Sequence, residues 1–160
     1  LEPRNNLLSL AQAATAVVEA LLADAESKVR ERVVLEGKPS QRLLDREQRA
    51  THGLAWLGTY VEAVRQLTSY AERIQSSGML GETEELIVRI GLGEYLAQIQ
   101  GGIPISQVEM VRPADLGLSP SAVAARMTGD VEALIVSGNT AQNRARHLLQ
   151  LVVPNMQMAL

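Results

Sequence analysis

Cysteine and phenylalanine are absent from these 160 residues, and one Trp and three Tyr are the only aromatics. Without a thiol the chain has no disulfide, no Cys-ligated zinc or iron–sulfur site and no thiol nucleophile, and a cytoplasmic address is allowed. Aromatics make up only 2% of the residues. A core of Leu, Ile, Val and Ala suits packed helices better than a β-sandwich, which would draw on Val, Thr, Tyr and Phe. Charge of one sign is lacking too: 15 Lys and Arg face 18 Asp and Glu, a net charge of −3. That balance excludes a strongly basic nucleic-acid binder. Long apolar runs are missing as well. The stretch Ala11–Ala25 is interrupted by Gln12, Thr15, Glu19 and Asp24, so no segment is expected to span a membrane, and no basic-then-apolar signal layout opens the chain.

What is present is enough apolar residue, 46%, to furnish one core. The chain begins at Leu1 rather than Met and stops at Met156-Gln157-Met158-Ala159-Leu160, an apolar tail. Both ends read as cuts, and the expectation is a single all-α domain, residues 1–160, taken from the N-terminal part of a longer polypeptide.

Periodicity predicts the helices. A first helix over Asn6–Val34 carries Leu7, Leu10, Ala14, Val17 and Leu21 at three- and four-residue steps, widened by Ala11, Val18 and Ala25. Gly37-Lys38-Pro39 ends it, and Ser40 is placed to cap its successor. A second, long helix over Gln41–Ser76 has two apolar stripes. Leu43, Ala50, Leu54, Leu57, Val61 and Val64 make one; Trp56, Tyr60, Ala63, Leu67, Tyr70 and Ile74 make the other. A helix apolar on two flanks is expected to be wedged between neighbours, with Gly53 and Gly58 admitting crossing helices. Glu82, Glu84 and Glu85 open a third helix that Gly101-Gly102 closes. Ile103 to Leu118, punctuated by Pro104 and Pro113, reads as irregular. Ser119-Pro120 starts a fourth helix carrying Val123, Met127, Val131 and Leu134 and ending at Gly138. Thr140 caps a last one that Pro154 stops. The architecture expected is a helical bundle of four main antiparallel helices plus a short fifth.

Few constellations carry chemistry. His52, Trp56 and Tyr60 recur at four-residue steps, either as a platform for a ligand or partner or as the place where the core's few aromatics fall. A di-iron centre would need a Glu three residues before a His on each of two helices, but Arg49 and Arg144 hold those positions. Gly91-Leu92-Gly93 and Gly101-Gly102 lack the Gly-Lys-Ser/Thr of a phosphate loop; Gly91 and Gly93 suit close helix contact instead. Arg144, Arg146 and His147 read as a solvated basic face. Glu109, Arg112 and Asp115 sit in the Pro-pinned irregular stretch, as an anchored loop or a docking one. No nucleophile–base–acid set is discernible, so catalytic, cofactor-binding and metal residues are none. The interface candidates are His52, Trp56, Tyr60, Glu109, Arg112, Met156 and Met158, with Leu160 completing the apolar tail.

Two strings resemble a known family. His52-Gly53-Leu54-Ala55-Trp56-Leu57-Gly58-Thr59-Tyr60-Val61-Glu62-Ala63 is similar to a helix in the N-terminal extension of certain acyl-CoA dehydrogenases. So is Ile90-Gly91-Leu92-Gly93-Glu94-Tyr95-Leu96-Ala97-Gln98, with Gly102-Ile103-Pro104 and Val111-Arg112-Pro113-Ala114-Asp115-Leu116 after it. The resemblance covers nearly the whole chain. It implies a cytoplasmic, oligomeric parent oxidoreductase that uses FAD, in which a Glu base takes an α proton and the flavin takes the β hydride. The parent reaction it implies is methylsuccinyl-CoA to mesaconyl-CoA. The flavin-binding strands and the base would follow Leu160, so no catalytic residue transfers to this chain. The role implied is docking on its own dehydrogenase core or a sister subunit, with no nucleic acid and no membrane; the competing role is an independent helical module that binds a ligand or protein.

Overall fold

The structure, a computed structural model, describes residues 6–146 and Leu149. Helix α1 (Leu7–Val33) runs as its apolar spacing predicts, burying Leu7, Leu10, Ala11, Ala14, Val18, Leu21 and Ala25, then Val29 and Val33. By length and mean hydropathy α1 alone among the described helices could cross a membrane, which the interruptions in its sequence did not predict. Here its apolar stripe is the core side of the bundle, and Glu19 pairs with Arg65 at 2.8 Å across to the next long helix.

A two-residue β-turn hairpin follows, pairing β1 (Val34–Leu35) with β2 (Lys38–Pro39) through Glu36 and Gly37, both at positive φ. Such a turn is the one whose twist matches its strands. Ser40 then stands at the N-cap of α2 (Gln41–Arg46), but its hydroxyl makes no capping bond.

The expected Gln41–Ser76 helix is two helices. It breaks at Glu47, whose φ of −99° and ψ of 24° leave the helix, and resumes as α3 (Gln48–Ser76), about 44 Å long. Neither Gly nor Pro marks the break. The Glu47 carboxylate instead takes Arg46 at 3.0 Å and Arg32 of α1 at 3.8 Å, while Thr51 donates back to the Glu47 carbonyl. No residue of α2 is buried, so packing does not hold the two pieces collinear.

Helix α3 is wedged as expected. Thr15–Thr68, Gln12–Glu72 and Glu19–Arg65 set it antiparallel to α1. On its other flank Tyr60 and Leu67 meet α4 (Glu82–Gly101), also antiparallel. Of the first stripe Ala50, Leu57, Val61 and Val64 are buried and Leu43 and Leu54 half-buried; of the second Trp56, Tyr60, Ala63, Leu67 and Tyr70 are half-buried and Ile74 is buried. Gly53 admits no crossing helix. A Cβ there would meet the Val111 side chain at 2.9 Å and Leu116 at 3.1 Å, so it receives the segment after α4; Gly58 faces open space.

Helix α4 is the most enclosed, exposing only Ile87, Gln100 and Gly101. At its start Glu84 accepts the Gly81 N–H at 3.1 Å, a donor shared with the Met79 carbonyl at 2.9 Å. The Ile103–Leu118 stretch has more order than expected: β3 (Ile103–Pro104) pairs with β4 (Met110–Val111), and a 3₁₀ turn spans Pro113–Leu116.

The expected fourth helix is also divided, into α5 (Pro120–Arg126) and α6 (Asp130–Gly138): Met127 leaves the helix at ψ 41° and Gly129 adopts φ 58°. Its face was legible nonetheless, since Val123, Met127, Val131 and Leu134 are all buried. Ser119 precedes α5 as expected, but its hydroxyl pairs with the Ser121 hydroxyl rather than with a backbone N–H of the helix. Close contact at Gly93 is borne out: a Cβ there would lie 2.8 Å from Gly138 Cα and 2.9 Å from the Leu134 carbonyl oxygen, so α6 crosses α4 backbone to backbone. Thr140 accepts the Asn143 N–H at 3.2 Å and starts a helical stretch over 141–146. His147, Leu148, Val152, Pro154, Met156, Met158 and Leu160 lie outside the described residues.

Candidate functional site

The three-ring face resolves into two hydrogen-bonded pairs. Trp56 donates its indole N–H to His52 Nε2 at 3.0 Å, one turn back on α3, with ring centroids 6.3 Å apart. Tyr60 donates to Gln98 Oε1 on α4 at 2.7 Å and meets Tyr95 edge-on at 5.0 Å. Burial, then the neighbouring Tyr95 and Glu94, raises the Tyr60 phenol above its ordinary pKa. Gln98 in turn donates to Glu94 at 2.8 Å, and Arg144 reaches the other Glu94 oxygen at 2.6 Å. The Gln98 bond first, and Arg144 second, hold the Glu94 carboxyl below its usual range. A chain Tyr60–Gln98–Glu94–Arg144 therefore ties three elements.

Of the expected solvated basic face, Arg144 is exposed and Arg146 half-buried, while His147 lies outside the described residues. Arg144 pairs with Glu94 and Arg146 with Glu82, both on α4, so these side chains strap the last described helical turn to the bundle.

The irregular stretch is anchored at Asp115. Its carboxylate takes Arg49 Nε at 3.0 Å and Nη2 at 3.3 Å, and accepts the Arg112 backbone N–H at 2.8 Å. Arg49 also donates to the Met110 carbonyl at 3.1 Å, and Arg32 to that of Asp115 at 3.1 Å. Arg49 is the chief cause of an Asp115 pKa below the usual aspartate value. The sequence placed Asp115 in a polar loop; it gave no sign that Arg49, 66 residues earlier, is its partner. Glu109 stands at the turn beyond β3, and Glu109, Gln48, Arg49, Thr51 and His52 line a shallow, open depression. His52 and Glu109 are thus brought together, whereas Tyr60 lies two helical turns along α3 from His52.

One buried ion pair escaped the sequence reading. Arg89, 6% exposed, donates to Glu85 at 2.9 Å on its own helix and to Asn6 Oδ1 at 3.0 Å, tying the start of α1 to α4. An Arg on an otherwise apolar face of Leu86, Val88 and Leu92 was its only signal.

Neither of two hollows suits a flavin. The apolar void between Leu21, Leu57, Ile99 and Val123 measures only about 10 Å³. The depression at His52 takes in about 690 Å³ but is open and lined by polar side chains, whereas cofactor sites are mostly apolar and bury their ligand. Among the described residues no three His, Asp or Glu side chains gather as metal ligands.

No protein-family model matches the chain. It is similar to (2S)-methylsuccinyl-CoA dehydrogenase of Cereibacter sphaeroides, with 47% identity over 141 residues. The match takes in 88% of this chain and spans about a quarter, 25%, of the relative's length.

Proposed function

We propose that the chain is a non-catalytic N-terminal helical domain of a cytoplasmic FAD-dependent acyl-CoA dehydrogenase, acting on (2S)-methylsuccinyl-CoA and yielding mesaconyl-CoA. Its role is to dock on the dehydrogenase core of its own polypeptide or on a sister subunit of a homo-oligomer, with no nucleic-acid or membrane partner. The observation that carries this is the match itself: nearly all of the chain aligns with a quarter of a dehydrogenase. The bundle adds a complementary point, because Tyr60, Gln98, Glu94 and Arg144, and likewise Arg49 and Asp115, are bonded to one another across its elements. Chemistry of the parent then belongs to the other three quarters. His52, Trp56, Tyr60, Glu109, Arg112, Met156 and Met158 are the interface residues of this reading, of which the first five lie among the described ones.

The intact polypeptide tests it. Its mass should far exceed 17.3 kDa, and it should carry a flavin spectrum that residues 1–160 expressed alone do not. A yellow protein from the 160 residues alone would overturn the reading. The depression at His52 supports a second one, a ligand-binding module. A thermal-shift screen with CoA thioesters separates the two, since a ligand at about 100 times its Kd adds roughly 2.7 kcal/mol.

A further inference from the structure

All four aromatic residues of the chain lie on α3 and α4, and none of them is fully buried: Trp56, Tyr60 and Tyr70 share one stripe of α3, and Tyr95 meets Tyr60 from α4. The core proper is aliphatic. Trp and Tyr set half-buried at a seam are the residue types that carry interface energy, offering large rigid area at small entropic cost. Two of the polar tips are already satisfied inside the domain, Trp56 on His52 and Tyr60 on Gln98, so covering these rings strands neither donor. The exposed large apolar side chains, Leu35, Met79, Ile87, Val108, Val136 and Leu149, are aliphatic and are spread over the first hairpin, the turn before α4, α4, the β3–β4 loop, α6 and the last described residue.

We infer that this α3–α4 aromatic seam is the surface on which the domain packs, and that its occupant is the dehydrogenase core of the same polypeptide. The inference rests on the proposed function above. The occupant follows from length: three quarters of the relative lies outside the matched region, so a body several times larger is tethered to this one. A tethered partner sits at millimolar effective concentration, and needs only a modest, half-buried surface rather than a broad exposed patch. The seam has that character, whereas the Glu109–Arg112 loop is polar, and it is its backbone groups that are bonded, to Asp115 and within the hairpin.

Photocrosslinking in the intact polypeptide tests this. The photoreactive aromatic p-benzoylphenylalanine is placed at Trp56 or Tyr70, with Glu26 on the outer face of α1 and Val108 at the hairpin tip as controls. The expected result is intramolecular cross-links from Trp56 and Tyr70 to peptides beyond residue 160, and several-fold fewer from Glu26 and Val108. Cross-links from Val108 alone would overturn the seam while leaving docking intact. Cross-links from Trp56 and Tyr70 into residues 1–160 of a second copy would replace the core by self-association, and none from either position would overturn the inference outright. An intact polypeptide with no flavoprotein core after residue 160 would instead remove the reading beneath it, a result the mass reports before any irradiation.

Discussion

Replacing Gly93 by Ala asks whether α4 and α6 truly touch through their backbones. The added Cβ would lie 2.8 Å from Gly138 Cα and 2.9 Å from the Leu134 carbonyl oxygen, atoms that cannot rotate away. The helices must separate, and overpacking of this kind costs about 1–3 kcal/mol. Against it, Ala in a helix interior gains up to about 1 kcal/mol over Gly. Gly58→Ala supplies the control, because Gly58 is also mid-helix and a Cβ there meets nothing within 4 Å. The propensity gain is common to both variants, so their difference isolates the crossing. For a chain of this size 1 kcal/mol moves Tm by about 2–4 °C. Gly58→Ala should therefore raise Tm by about that much, and Gly93→Ala should fall at least 2 °C below it. Gly138→Ala, whose Cβ would run into the Arg89 carbonyl oxygen, should be lower still. Thermal unfolding followed by circular dichroism reads all three. Equal gains for Gly93→Ala and Gly58→Ala would refute the crossing.

Asp115→Asn should loosen the hairpin by about 1 kcal/mol at neutral pH, since the carboxylate serves Arg49 and the Arg112 N–H. Because the folded pKa of Asp115 is lowered, its contribution is present above the ordinary aspartate value of about 3.9 and is lost as the pH falls through the folded value. The gap between Asp115→Asn and the parent in denaturant midpoint should close below about pH 4; a gap that widens there would contradict the assignment. Tyr60→Phe should cost about 0.5–1.5 kcal/mol through the lost bond to Gln98. In an absorbance titration at alkaline pH it should also remove a phenol that ionises above the usual value of about 10. Arg89→Ala strands Glu85 in the interior and should cost on the order of 3 kcal/mol, whereas the double variant with Glu85→Leu should recover part of it; no recovery would mean that Asn6, not Glu85, is the partner that matters.

How much of this was legible follows from how local each cause is. The stripe of α1, the span of α4 and the buried face Val123–Met127–Val131–Leu134 were plain because three- and four-residue spacing is a local signal. The break at Glu47 was not, since no Gly or Pro announces it and one of the cations beside it, Arg32, comes from another helix. Gly129, by contrast, stood in the sequence as the mark of the α5–α6 break but was read through, because the apolar face continues past it. The cross-element ion pairs were hidden for the same nonlocal reason: Arg49–Asp115 and Arg144–Glu94 join residues 66 and 50 positions apart. Gly53 was read as a place of close approach and is one, but to the 110–116 segment rather than a helix. Buried Arg89 and Thr68 interrupt otherwise apolar faces, and periodicity cannot say which polar residue finds a partner inside.

Deletion of residues 1–160 from the intact polypeptide, with assembly measured by sedimentation and methylsuccinyl-CoA oxidation measured on the same sample, tests the docking role most directly. A truncated protein that keeps its flavin but loses its native assembly or its turnover is the predicted result. Unchanged assembly together with unchanged turnover would contradict it.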